Sequence, residues 1–250
     1  MKKDSTAAGR KARGFLFPPS SLRPFFPHSV PSSLAFPFVP LSLHYSAMIG
    51  LIDYRMGNLR SVEKALQRFD APVSIVRTPA ELSHCDKLIL PGVGAFADAM
   101  IHLRQQQLVE PLRDFAASGK PFLGICLGLQ LLFDTSTEDG SHEGLGILPG
   151  GVVRFDPIDP TVKVPQMGWN ALSFTQRDNP LFAGLADGCF VYFVHSYFAQ
   201  PADAATTAAT ADYAGPFCAA VRKANIFATQ FHPEKSQRVG LKMLENFARL

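Results

Sequence analysis

From residue 48 onward the chain alternates short apolar runs with amphipathic stretches. Residues 49–54 predict a buried strand. Asn58 then stands where a helix N-cap is wanted, ahead of a helix over 60–69 that puts Leu59, Val62, Leu66 and Phe69 on one face. Strands are predicted at 73–76 and 87–90, followed by helical patterns over 96–106 and 108–117. Residues 122–126 predict a strand that runs straight into a helix over 127–133. Strands alternating with helices specify a parallel sheet covered on both faces. The second half reads differently: 151–155, 171–174, 190–198, 205–211, 219–222 and 226–231 are strand-like, and a helix over 237–249 closes the chain. The predicted fold is one α/β domain over 48–250. It has a mostly parallel central sheet, helices on both faces and an antiparallel or mixed extension.

Residues 1–47 differ in kind. Pro18, Pro19, Pro24, Pro27, Pro31, Pro37 and Pro40 are spaced by serines and phenylalanines, a density that prevents helix and pairs poorly in sheets. Two readings stay open for this N-terminal extension. Its basic, Ser-rich, acid-poor composition is that of a transit peptide, and an upstream start ahead of a true first residue at Met48 gives the same abrupt change.

The segment also distorts the charge balance. The chain has 24 Lys/Arg and 21 Asp/Glu; six of the basic residues and only Asp4 of the acids lie in 1–47, so 18 and 20 remain for the body. A slightly acidic body with no Lys/Arg cluster argues against a nucleic-acid partner. No apolar stretch is long enough to span a bilayer. Cys85, Cys126, Cys189 and Cys218 form no CxxC pair, which argues against structural zinc and fits a reducing, cytoplasmic setting.

One of those cysteines sits in a chemical context. In Gly124-Ile125-Cys126-Leu127-Gly128, a strand passes through a glycine-flanked residue into a helix, the pattern of a tight turn that exposes a nucleophile. Free N–H groups at the helix start favour thiolate over thiol, and the N–H of Leu127 is placed to hold an oxyanion. Alone, the pattern is matched equally by a buried structural cysteine. A thiol attacking an amide needs a base, and His232-Pro233-Glu234 offers a histidine with a carboxylate two residues on to fix its tautomer. Pro91-Gly92-Val93-Gly94, after the strand at 87–90, is a loop whose backbone could add a second oxyanion donor, although a plain turn explains it as well.

These blocks, with Gln130, resemble the class I, triad-type glutamine amidotransferases. Within that class they are similar to the glutaminase subunits of imidazole glycerol phosphate synthases. The narrower likeness rests on Asp53-Tyr54, Gly57-Asn58, Phe96 after the glycine loop, Pro165-Gln166-Met167-Gly168-Trp169-Asn170, Val194-His195-Ser196-Tyr197 and Lys235-Ser236. It covers 48–250.

The resemblance implies a triad of Cys126, His232 and Glu234, with oxyanion donors among Val93, Gly94 and Leu127. It implies glutamine binding by Gly92, Gln130, Glu138, Ser196 and Tyr197. Glu138 lies in a polar run, 135–140, that reads equally as a solvated loop. His195 has no carboxylate behind it and is left out of the triad, while Phe190, Tyr192 and Phe193 beside it read as core. Partner contacts are implied at Asn58, Gln166, Met167, Trp169 and Asn170. The implied reaction converts glutamine to glutamate and ammonia through a cysteine thioester, with no metal or organic cofactor. The ammonia passes to a (β/α)8-barrel cyclase in a heterodimer that makes imidazole glycerol phosphate and aminoimidazole carboxamide ribotide for histidine biosynthesis. The segment 166–170 and Lys235-Ser236 disfavour the glutaminases of anthranilate or aminodeoxychorismate synthesis. The intact triad disfavours a non-catalytic binding subunit, and Gln130 a cysteine peptidase.

Overall fold

The structure, a computed structural model, describes residues 47–250. The expectations for the preceding segment lie outside the described residues. The first half runs β1 (Ile49–Ile52), α1 (Leu59–Gln67), β2 (Val73–Val76), α2 (Pro79–Leu82), β3 (Lys87–Gly92), α3 (Phe96–Gln105), α4 (Val109–Ala117), β4 (Phe122–Cys126) and α5 (Leu127–Leu131). Then come β5 (Phe133–Ser136), β6 (His142–Glu143), β7 (Leu148–Arg154), β8 (Gln166–Ala171), β9 (Ser173–Phe174), β10 (Phe190–His195) and β11 (Tyr197–Pro201). The chain finishes with β12 (Thr207–Asp212), β13 (Pro216–Lys223), β14 (Ile226–Thr229) and α6 (Gln237–Ala248).

The main sheet has eight strands in the order β2-β1-β3-β4-β14-β13-β12-β9. Its first five are parallel and its last three antiparallel, the mixed sheet that the hydrophobic pattern predicts. β3, β4 and β14 are buried along their whole length, as parallel strands packed on both faces must be. Their side chains divide by the two-residue period of a strand. Leu88, Leu90 and Phe122 join Phe96, Met100 and Leu112 on one face; Ile89, Leu123 and Ile125 join Val62, Leu66, Leu244 and Phe247 on the other. Each such burial is worth roughly 1.5–3 kcal/mol. The buried Lys87 donates from Nζ to the Ala248 carbonyl, so a cation closes the C-terminal end of α6.

Several elements depart from expectation. Residues 190–198 are two strands, because β10 pairs with β8 and β11 pairs with β7. Burial alternates through Val191, Phe193 and His195, lapses over 196–198 and resumes at Ala199, but the letters on both sides of Ser196 are apolar or aromatic, so the sequence carries no mark of the change of sheet there. The expected helix over 127–133 ends at Leu131, and Phe133 begins a strand instead. The carbonyls of Leu131 and Leu132 there accept from Leu145, Ile147 and Leu148 rather than from a further helical turn. Pairing partners also move the strand expected at 171–174 back to β8 and the short β9. Asn58 occupies the N-cap position of α1 but makes no side-chain capping bond, its backbone lying outside the extended region a cap needs. Phe190 is not core: it is 57% exposed, and Tyr192 is half-buried, since both lie on the outer face of the β8–β10 ribbon.

Candidate active site

Cys126 ends β4, with Gly92 of β3 paired to it on one side and β14 lying on the other. Its backbone, at φ 55 and ψ −110, lies where an L side chain is strained by about 1–3 kcal/mol. The flanking glycines are required by contact. A Cβ on Gly128 would sit 1.8 Å from the Leu90 carbonyl oxygen, and one on Gly124 would sit 2.7 Å from that of Gly128. The backbones therefore approach as closely as only glycine allows, and the turn lifts Cys126 out of the sheet. α5 has only five residues, so the help it gives a thiolate comes from its first N–H groups rather than from a long dipole.

His232 follows β14 at the neighbouring position. Its backbone N–H donates to the Tyr192 carbonyl at 3.0 Å, and the His232 carbonyl accepts from Ser236 Oγ at 2.7 Å, so the loop is held from both sides. Nδ1 of the ring lies 2.9 Å from Glu234 Oε1, with the two side chains 2% and 1% exposed. A carboxylate can only accept, so Nδ1 carries the hydrogen and Nε2 is left as the working nitrogen. That nitrogen has no hydrogen-bond partner within normal geometry. Burial opposes a charge on the ring, but the sulfur of Cys126 and the carboxylate of Glu234 outweigh it and push its pKa up to about 10. The ring is thus favoured in its protonated, imidazolium form.

The two groups open on a cavity of about 300 Å³, at the small end of ligand sites. Val93, Gly94 and Leu127 line it beside Cys126 and His232. Gln130, Glu138, Ser196 and Tyr197 line it too. Glu234 stands behind the histidine, and Gly92, expected to hold substrate, does not line the cavity: a Cβ there would meet the Tyr54 hydroxyl at 2.5 Å and Leu127 at 2.8 Å, so it serves close backbone packing. Glu138 is more than a solvated acid, because its Oε2 accepts from the N–H of Phe96 at 2.7 Å and so closes the start of α3. Both hydrogens of the Gln130 amide are committed, to the Tyr197 carbonyl at 2.9 Å and to Gln230 Oε1 at 3.2 Å. Toward a ligand that side chain can only accept.

The structure adds residues that sequence reasoning left unassigned. His195 lines the cavity with its ring packed among Phe155, Phe193 and Phe217. Burial holds its pKa down to about 4, against the pull of the Tyr197 carbonyl 2.8 Å from Nδ1 and with a small addition from His232. Tyr54 is fully buried and donates to the Pro91 carbonyl at 2.9 Å, tying the end of β1 to the glycine loop. Burial first, and Cys126 second, raise its phenol far above the usual range. Gln230 sits between Gln130 and Cys126, inside an apolar run that advertised only a strand. Of the expected partner residues, Met167 and Trp169 are 65% and 46% exposed. Gln166 is buried, Asn58 is half-buried, and Asn170 spends its amide on the Asp212 carbonyl at 2.7 Å. Among the described residues, no group of three or more His, Cys, Asp or Glu is arranged to hold a metal ion, and no helix is long and apolar enough to cross a membrane.

Comparison with known proteins shows the family. The family model "Glutamine amidotransferase class-I" matches residues 50–250. The imidazole glycerol phosphate synthase subunit HisH of Rhodopirellula baltica is 53% identical over 201 residues, covering 80% of this chain and 97% of that protein. The subunit of the same name from Syntrophotalea carbinolica is 55% identical over 205 residues, covering 80% and 98%. Among solved structures, a glutamine amidotransferase aligns with a TM-score of 0.63 at 18% identity, over 81% of this chain and 99% of that one. At that identity the likeness speaks for the fold.

Proposed function

This chain belongs to the class I glutamine amidotransferases, and from that premise we propose that it is the glutaminase subunit of an imidazole glycerol phosphate synthase. The observation that carries the chemistry is the buried His232–Glu234 pair, at 2.9 Å, sharing one small cavity with a strained Cys126. The Cys126 thiolate attacks the side-chain amide carbon of glutamine. The developing oxyanion is met by the N–H of Leu127 and by the Val93-Gly94 backbone. The imidazolium of His232 gives its proton to the departing nitrogen, so ammonia leaves and a γ-glutamyl thioester remains. His232, now neutral, takes a proton from water, whose oxygen attacks the thioester and frees glutamate and the thiolate. Glu234 holds the ring in the tautomer that both steps use. Gln130 supplies an acceptor and Glu138 a carboxylate, which suits the ammonium and amide N–H groups of the substrate.

The relatives are named as subunits, and a partner subunit follows for this chain. The partner we propose is a (β/α)8-barrel cyclase that uses the ammonia for histidine biosynthesis. Free ammonia is protonated in water and lost as a nucleophile, so delivery has to be direct. A docking face lies beside the cavity. Val194 and Pro165 line the cavity, and the same β8–β10 ribbon carries Met167, Trp169 and Phe190 on its exposed face. Trp169 and Tyr192 pack edge to face at 6.0 Å, giving that face a stiff aromatic centre of the kind that anchors interfaces.

The test is acid quench of the complex during glutamine turnover, with mass spectrometry of the Cys126 peptide. A γ-glutamyl adduct on Cys126 is expected; turnover with the adduct on another residue, or on none, sinks the mechanism. Trp169→Ala is expected to weaken partner binding by about 2 kcal/mol or more, with alkylation of Cys126 in the free chain unchanged.

A further inference from the structure

The carbonyl of Tyr197 lies where β10 gives way to β11, and a carbonyl can only accept hydrogen bonds. It takes two, from Nδ1 of His195 at 2.8 Å and from Nε2 of Gln130 at 2.9 Å. The amide of Gln130 therefore has one allowed orientation, because the flipped one would set oxygen against oxygen. Its remaining hydrogen goes to Oε1 of Gln230 at 3.2 Å. With its oxygen so engaged, Gln230 turns its own nitrogen to Cys126 Sγ at 3.9 Å, a distance at which sulfur still accepts. One acceptor-only group thus sets the polarity of the whole series, and the series ends in an N–H aimed at the sulfur. Gln230 is fully buried, with its backbone N–H on the Ala219 carbonyl at 2.8 Å, so no water competes for the contact.

We propose that Gln230 is a further catalytic residue of the glutaminase reaction, donating to the Cys126 sulfur a hydrogen bond whose direction is fixed by the Tyr197 carbonyl. The proposal rests on Cys126 being the nucleophile. The bond favours the thiolate before attack and again when the thioester is cleaved. It loses strength in between, when the sulfur's charge is shared with the acyl group, so it assists the sulfur as leaving group. Gln130 and His195 are positioning residues in this scheme, acting on the sulfur through Gln230.

The experiment is the rate of iodoacetamide reaction at Cys126 in the full chain alone at neutral pH, read by mass spectrometry of its peptide. Gln230→Glu keeps the acceptor toward Gln130 and puts an oxygen where the N–H was. Gln230→Met keeps the volume and removes both. Each is expected to slow alkylation by about fourfold to fifteenfold: the thiolate fraction falls by the worth of a hydrogen bond to a charged acceptor, and the greater basicity of the remaining thiolate returns about half of it. In the complex, turnover number is expected to fall with it while KM for glutamine stays near its original value. A structural role alone would lower melting temperature and leave the alkylation of folded protein unmoved. Alkylation at the wild-type rate in either folded variant overturns the proposal, and if one variant does not fold the other decides. Cys126→Ala keeps the two readings apart. Activity surviving in it rejects the nucleophile itself; a dead Cys126→Ala beside a Gln230 variant with wild-type alkylation rejects the hydrogen bond only.

Discussion

Two buried histidines face the same cavity from different sheets, and their surroundings drive them to opposite states. At the end of β14, His232 has a carboxylate on one nitrogen and a cysteine sulfur near the other, and its pKa stands up at about 10. At the end of β10, His195 has a peptide carbonyl on one nitrogen and three phenylalanine rings around it, and its pKa stands down at about 4. Both are less than a tenth exposed, so burial alone does not separate them. The partner atom does. An anion repays the cost of burying an imidazolium and a neutral carbonyl does not. One region is thereby equipped to move protons, and the other to stay fixed while they move.

The hardest blow to that contrast is removal of the group His232 serves. Cys126→Ala is expected to lower glutamine turnover by about 10⁴-fold or more, with ammonia-dependent synthesis by the complex surviving. A single kinetic comparison of the two nitrogen sources checks this. Next in size is Glu234→Gln, which trades the acceptor on Nδ1 for an amide and frees the wrong tautomer. A loss of about 10³- to 10⁴-fold in kcat is expected from the equivalent change in serine triads. Full activity there would show that the carboxylate does not set the histidine's role.

A smaller effect separates the histidines by pH. His195 is held neutral in the fold at a pKa of about 4, against 6.5 when unfolded. Between those values the unfolded chain binds more protons than the native one, so stability falls as pH drops from about 6.5 to about 4. The loss reaches about 3 kcal/mol. His232 has the reverse sign: its contribution is present below pH 6.5 and fades as pH rises toward about 10. Urea unfolding of the chain and of His195→Gln across that acid range measures the first. A slope that persists unchanged in the variant would assign it elsewhere.

The smallest expected effect is none. We propose that a chain beginning at Met48 matches the full chain in melting temperature and glutaminase activity, because the described contacts of both histidines lie within 126–236. The N–H of Met48 already lies 2.8 Å from Asp86 Oδ2, where a freed amino group would find a carboxylate. A large loss of either property would show that the preceding segment packs on this domain.

What could be read from the chain alone follows a simple division. The elbow at Cys126 and the pair His232–Glu234 are local: their chemistry lies within five consecutive residues, and the structure keeps that spacing. The parallel half of the sheet was legible for the same reason, since an apolar run and the helix after it are both local patterns. Gln230 was not, because it lies 104 residues from Cys126 in a run that advertises only burial. Ser196 was not, because the residues on both sides of it form one strand-like apolar and aromatic run. Phe190 was misread as core because a strand facing water and one facing protein carry the same aromatic letters, and only sheet order distinguishes them.

The strained backbone at Cys126 has a consequence outside catalysis. A residue held at φ 55 and ψ −110 is a spring that glycine would let go. Cys126→Gly is therefore expected to melt at a higher temperature than the active chain while hydrolysing nothing. Selection for stability alone would erase this nucleophile, and a lineage released from the need for ammonia should lose it early. Thermal scans of Cys126→Gly beside Cys126→Ala, which keeps the strain, measure how strong that pull is.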